Sequence, residues 1–145
     1  MAENELLSAI IKRLTHALAE TFAEQLRRHG ITLAQWGVLR HLWEHEGRSQ
    51  VELQTLLRVE AATITGLLQR LERYGLIYRQ ADEHDKRMQR VFLTNEGRAL
   101  APKVRHLAED INLQAFGDFS PEEHHQLRHL LTRALHNLTT LGEAH

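Results

Sequence analysis

Residues Ala61–Gly97 read AATITGLLQRLERYGLIYRQADEHDKRMQRVFLTNEG, and the hydrophobic period changes partway along them. Ile64, Leu67, Leu68 and Leu71 fall at i, i+3, i+4 and i+7, the spacing of one buried face of a helix. Gly75 closes that helix. Beyond it, LIYRQ (76–80) and QRVFL (89–93) are rich in β-branched and aromatic residues and read as two strands. A charged knot lies between them, so the simplest arrangement is a two-stranded hairpin with a polar tip.

The neighbouring segments are helical. Upstream, Ser49 and Glu52 have capping-box spacing and open a short helix carrying Val51, Leu53, Leu56 and Leu57, with a tight break at 58–60. Before it, Thr32 and Gln35 form a second capping box, followed by the apolar stripe Trp36, Leu39, Leu42 and Trp43 and a stop at Gly47. The first helix carries Leu7, Ile10, Ile11, Leu14, Leu18, Phe22 and Leu26 and stops at Gly30. Its extent, roughly 35–40 Å at 1.5 Å per residue, outruns a small domain's own core. Downstream, Thr94 caps a helix with Leu100, Val104, Leu107 and Ile111, in which Pro102 predicts a kink or local break. Ser120 as N-cap, Pro121 at N1 and Glu123 at N3 start the last helix, which bears Leu127, Leu130, Leu131, Ala134, Leu135 and Leu138.

Three compact helices and then a hairpin make a winged helix-turn-helix. The fold class expected is therefore mainly α with a small β-hairpin wing, flanked by long N- and C-terminal helices. Residues 32–98 form the expected DNA-binding lobe within a single 145-residue unit. Residues 3–29 and 99–141 form the expected dimerisation region, pairing with the same helices of a second chain.

Composition narrows the chemistry. The net charge is −1 with eleven histidines uncounted, so a nucleic-acid partner would have to be met by local placement of bases. There is no cysteine, which excludes disulfides, thiolate metal sites, cysteine nucleophiles and thiol redox switches. No apolar run approaches the roughly 20 residues that span a bilayer. The opening MAENELLSAIIKR starts acidic, unlike a signal peptide, so a cytoplasmic location and no membrane partner are expected. No nucleophile–base pair, phosphate-cradling loop or paired-carboxylate motif is evident; no catalysis and no cofactor are expected.

From Ser49 to Gly97 the chain resembles the MarR family of bacterial transcriptional regulators. The helix-turn-helix ends in Leu71, Glu72, Arg73, Gly75, Leu76, Ile77 and Arg79. A wing with Asp85 and Arg87 follows, and then Leu93, Thr94 and Gly97. The resemblance implies a homodimer on pseudo-palindromic double-stranded DNA, most often a repressor, whose recognition helix enters the major groove and whose wing arginine reaches the minor groove. It also implies a small aromatic or lipophilic effector that weakens binding.

On that reading the exposed side of the recognition helix offers Ala61, Ala62, Thr63, Thr65, Gly66, Gln69 and Arg70. Threonine hydroxyls and helix N-terminal amides suit phosphate, a threonine methyl suits a thymine methyl, and glutamine can read adenine. Gly66 departs from the family pattern, where a larger polar or basic residue is common: either the backbone approaches DNA closely there or base readout at that step is lost. The wing holds four bases (Arg79, Lys86, Arg87, Arg90) against three acids (Asp82, Glu83, Asp85), so net charge does not explain it. Placement does: Asp85, two residues before Arg87, can orient the guanidinium for a narrow minor groove, with Lys86 beside it for phosphate. The bland alternative is a solvated salt bridge worth about 0–1 kcal/mol.

The effector crevice is expected to involve Trp36 with His16 or His106, core packing being the competing reading of Trp36. The pairs His41/His45, His125/His129 and His106/Asp110 have metal-compatible spacing, and chance pairing among many histidines explains them equally. A metal-responsive regulator on the same fold and a winged-helix protein adaptor are the alternative functions.

Overall fold

The structure is a computed structural model that describes residues 5–143. Residues 3–4 of the expected N-terminal helical region lie outside them. The chain divides into two compact units, one up to Glu109 and one from Asp110.

The first unit contains α1 (Leu7–Arg28), α2 (Leu33–Glu44), β1 (Arg48–Ser49), α3 (Gln50–Leu57), α4 (Ala61–Arg73), β2 (Ile77–Ala81), β3 (Gln89–Leu93) and the start of α5 (Asn95–Phe116). α2 begins as its sequence predicts: the Thr32 hydroxyl accepts from the Gln35 N–H and the Gln35 amide accepts from the Thr32 N–H. Leu39 and Leu42 of α2, Leu53 of α3, and Ile64, Leu68 and Leu71 of α4 are all fully buried. Each contributes roughly 1.5–3 kcal/mol by leaving water. Ile77, Val91 and Leu93 of the sheet close this core from the other side. From α1 the core takes Leu26, with Phe22 packed against it. Leu7, Ile10, Ile11 and Leu14 remain exposed.

The sheet has three strands in the order β1-β3-β2, all antiparallel, with Ile77 opposite Leu93 and Ala81 opposite Gln89. The hairpin was expected; β1 was not. Two residues are too short to show a period, and Ser49 reads from sequence only as a helix cap. It is both: it pairs with Arg90 as strand, and its hydroxyl accepts from the Glu52 N–H. The Ser49–Glu52 box is therefore only half made, since no bond returns from the Glu52 side chain to the Ser49 backbone.

Gly75 and Gly97 join the wing to the helices. Gly75 has φ +73, which turns the chain from α4 into β2. The Leu76 carbonyl then accepts from the Thr94 N–H at 3.0 Å. The Thr94 hydroxyl donates to the Gly75 carbonyl and accepts from the Gly97 N–H, which caps α5. A Cβ at Gly97 would sit 2.1 Å from the Leu76 carbonyl oxygen, so only glycine fits. α5 passes Pro102 as one continuous helix, so of the expected kink or local break the break does not occur. Pro102 is exposed, on a side where water can satisfy the carbonyl that loses its donor.

The second unit holds the end of α5 and α6 (Pro121–Glu143). Ser120 and Glu123 cap α6 reciprocally, the serine hydroxyl taking the Glu123 N–H and the carboxylate taking the Ser120 N–H. The leucine stripe of α6 lies open: Leu130 is 55% exposed, Leu135 65% and Leu138 71%. No helix among the described residues is long and apolar enough to cross a membrane.

Candidate nucleic-acid interface

Arg58 ends α3 in the left-handed region, at φ 54 and ψ 47, and so redirects the chain into α4. Ile64, Leu67, Leu68 and Leu71 hold α4 against the core. The opposite side presents Ala61, Ala62, Thr63, Gln69 and Arg70 to solvent, with Thr65 and Gly66 half-buried at its edge. Thr65 differs from expectation. Its hydroxyl donates to the Ala61 carbonyl and accepts from Gln50 Nε2, both at 2.9 Å, so it ties α3 to α4. The Glu60 side chain makes no capping bond, which leaves the first amides of α4 without a side-chain acceptor from that position.

Gly66 lies within the helix, and a Cβ built there would meet nothing within 4 Å. The fold itself therefore does not require glycine at this position, although glycine costs about 1 kcal/mol relative to alanine in a helix interior.

The tip between β2 and β3 is organised by two aspartates. The Asp82 carboxylate accepts from the N–H groups of His84 (2.8 Å) and Asp85 (3.0 Å) through Oδ1, and from Arg90 Nε through Oδ2. Arg90 also donates from Nη1 to the Gly47 carbonyl at 2.8 Å, which fastens the tip to the turn between α2 and β1. The Arg90 guanidinium, with the two N–H donors, holds the Asp82 carboxyl at about 2, against an ordinary 3.8. Asp85 repeats the motif one step on, its Oδ1 accepting from the Arg87 N–H at 3.1 Å and from Arg87 Nε at 3.2 Å. The rest of the Arg87 side chain projects outward, 93% exposed, and Lys86 beside it is exposed too. At the base of the wing, Glu46 accepts from Arg98 and from the Leu93 N–H, and Arg79 pairs with Glu72 at 2.9 Å. The Arg98 bond, aided by that N–H and opposed by desolvation, holds the Glu46 carboxyl below its usual range.

The sequence singled out Asp85 and Arg87 but not Asp82 and Arg90. An aspartate directly after a strand, with free N–H groups two and three residues on, is the available signal for Asp82. Arg90 gives none, because its partner Gly47 lies 43 residues away.

A groove of about 270 Å³ opens beside α2, lined by Phe22, Trp36, Arg40, Trp43, Arg105 and others. Trp36 meets Phe22 edge to face at 4.9 Å and carries the Arg40 guanidinium over its ring at 5.2 Å. Trp36 is thus a packing residue with one side on the groove. His16 and His106 do not line it. His16 is exposed on α1 and pairs with Glu20 at 3.1 Å; six residues from Phe22, it lies about 120° away around the helix. His106 is not among the α5 residues that line it, which are Ala101, Val104, Arg105 and Ala108.

His41 is buried, and desolvation, followed by Arg40, lowers its pKa against the opposing pull of Glu44. No group of three or more metal-ligating side chains occurs among the described residues.

The profile of the MarR family matches residues 31–88, which include the helix-turn-helix and most of the wing. The chain is 30% identical over 125 residues to the homoprotocatechuate degradative operon repressor of Escherichia coli, covering 86% of this chain and 84% of that protein. It is 39% identical over 89 residues to the HTH-type transcriptional regulator TtmR of Methylorubrum extorquens; that match covers 61% of this chain but only 46% of TtmR. Among solved structures it is similar to MepR, a transcription regulator of the Staphylococcus aureus multidrug efflux pump MepA, with a TM-score of 0.84 at 26% identity over 92% of this chain and 99% of that one. The MepR–DNA complex matches over the same shares at 26% identity with a TM-score of 0.76.

Proposed function

Since this chain belongs to the MarR family of transcriptional regulators, we propose that it binds double-stranded DNA as a homodimer and represses transcription from a pseudo-palindromic operator in the cytoplasm. In this reading residues 32–98 are the DNA-binding lobe, and 3–29 and 99–141 supply the dimer contacts. Ala61, Ala62, Thr63, Gly66, Gln69 and Arg70 of α4 face the major groove, with Thr65 at the edge of that surface. Arg87 enters the minor groove, held by Asp85, and Lys86 meets phosphate.

The observation that carries the reading is the pairing of Arg87 with Asp85. A guanidinium that is almost wholly exposed, yet held at its base by a carboxylate and set on the same lobe as α4, is pre-oriented for a negative groove. The MepR–DNA complex, similar in fold, supports DNA as the partner. The open leucines of α6 support a second copy as the dimer partner.

The groove beside Trp36 supports a small aromatic or lipophilic effector. Two tryptophans and a phenylalanine supply stacking surface, and Arg40 and Arg105, set against the single carboxylate of Glu44, offer net positive charge to an acid.

Selection of bound duplexes from a random pool by the full chain tests the proposal. Two half-sites about one helical turn apart should emerge, and affinity should fall steeply with salt. Candidate aromatic acids should weaken binding, and zinc should not. An unenriched pool, or binding that ignores salt, overturns the proposal.

A further inference from the structure

The wing tip contains a relay that runs beyond the Asp85–Arg87 pair. Seven residues separate Ala81 and Gln89, which face one another across the hairpin. A loop of that length does not hold an arginine in place unless its own backbone is held. Here the Asp82 N–H donates to the Met88 carbonyl and the Met88 N–H to the Asp85 carbonyl, both at 2.9 Å. The Asp82 carboxylate grips the N–H of Asp85, the residue that orients Arg87. Its other oxygen takes Arg90, and Arg90 reaches out of the wing to the Gly47 carbonyl. The Asp82 side chain is only 12% exposed, whereas the Arg87 side chain is almost wholly outside.

We propose that Asp82 and Arg90 are positioning residues for DNA recognition: they lock the wing tip to the turn between α2 and β1, so that Asp85 presents Arg87 in one orientation. The inference rests on the DNA-binding reading above. Neither residue need touch DNA. Their effect is to remove rotamer and loop freedom that would otherwise be lost on binding.

The sign of the effect separates this role from simple charge. An acid near a polyanion repels it, so deleting Asp82 should tighten binding if only charge matters. Positioning predicts the reverse.

The test is a double-mutant cycle of Asp82→Asn and Arg87→Ala on a duplex selected by the wild-type full chain. Circular dichroism and Tm verify that each variant is folded at the assay temperature, and Arg90→Gln serves as a second entry to the same relay. Asp82→Asn should weaken binding roughly fivefold to tenfold in the wild-type background. In the Arg87→Ala background it should cost less than about twofold, because the group it positions is gone. Arg90→Gln should follow the same pattern. Unchanged or tighter binding in Asp82→Asn overturns the proposal, and so does an equal loss in both backgrounds. If the wild-type chain enriches no duplex, the DNA-binding reading fails and this inference falls with it. If duplexes are enriched but the cycle is additive, the inference alone fails.

Discussion

α4 and α6 are both amphipathic helices with leucine stripes, yet the chain treats them in opposite ways. α4 buries Ile64, Leu68 and Leu71 completely, while α6 leaves Leu130, Leu135 and Leu138 more than half exposed. The contrast shows which part of the molecule a single chain completes. The helix-turn-helix and wing close their own core, whereas α6 carries an apolar face that one copy leaves open to water. Exposed leucines at this density cost solubility unless something covers them, and in the proposed homodimer a second copy would supply the matching stripe.

Substitutions in the two helices can break or sharpen that contrast. The largest effect is expected from Leu131→Asp with Leu135→Asp. If a second copy covers α6, the pair should turn a dimer into a monomer in analytical ultracentrifugation. Operator affinity should then fall by roughly 10²-fold or more as the two half-sites stop acting together. A dimer that survives both charges would remove α6 from the interface. Leu68→Ala, in the closed half, should cost about 2–5 kcal/mol of unfolding free energy by urea titration, because it opens a cavity among fully buried neighbours.

Smaller effects belong to the surface of the closed half. Arg87→Ala should weaken operator binding roughly tenfold and flatten its salt dependence. Wild-type affinity at moderate salt would show that the wing arginine reads nothing. Gly66→Ala should raise stability by about 1 kcal/mol, since the added methyl meets open space and improves helix propensity. If the backbone at Gly66 comes close to DNA, the same variant binds the operator more weakly, and unchanged binding would place that position away from the duplex.

The smallest effect is one of pH. The Asp82 carboxyl sits at about 2 in the fold against an ordinary 3.8, so the stability it contributes is present above pH 3.8 and is lost as pH falls toward 2. The stability gap between wild type and Asp82→Asn, measured by urea midpoints, should therefore narrow from pH 5 to pH 3. A constant gap would mean that the carboxylate charge is not what stabilises the tip.

Local features of the fold were legible in the sequence. The faces of α2 and α4, the Thr32 and Ser120 caps and the turn at Gly75 all depend on residues a few positions apart, and each appeared where spacing put it. The Asp85–Arg87 pair was legible for the same reason. Features that depend on distant segments were not. β1 is two residues long and exists only because Val91 and Arg90 come alongside it. The Arg90–Gly47 bond, the Thr65–Gln50 bond and the groove residues Phe22, Arg40 and Arg105 are products of packing. His16 and His106 do not line the groove beside Trp36, and no local spacing in the sequence marks which residues do. Pro102 failed to break α5 because its lost hydrogen bond lies on an exposed side of the helix.

β1 has a mechanical consequence. Its last residue, Ser49, is also the cap of α3, and the strand is paired to β3, so the root of the helix-turn-helix and the return strand of the wing share one joint. The other strand of the wing is fixed at Gly75 to the end of α4. With both roots clamped, the span from α4 to the wing tip has a set length. In the proposed complex, α4 and the wing would therefore meet the duplex as one piece, with little freedom to shift against each other.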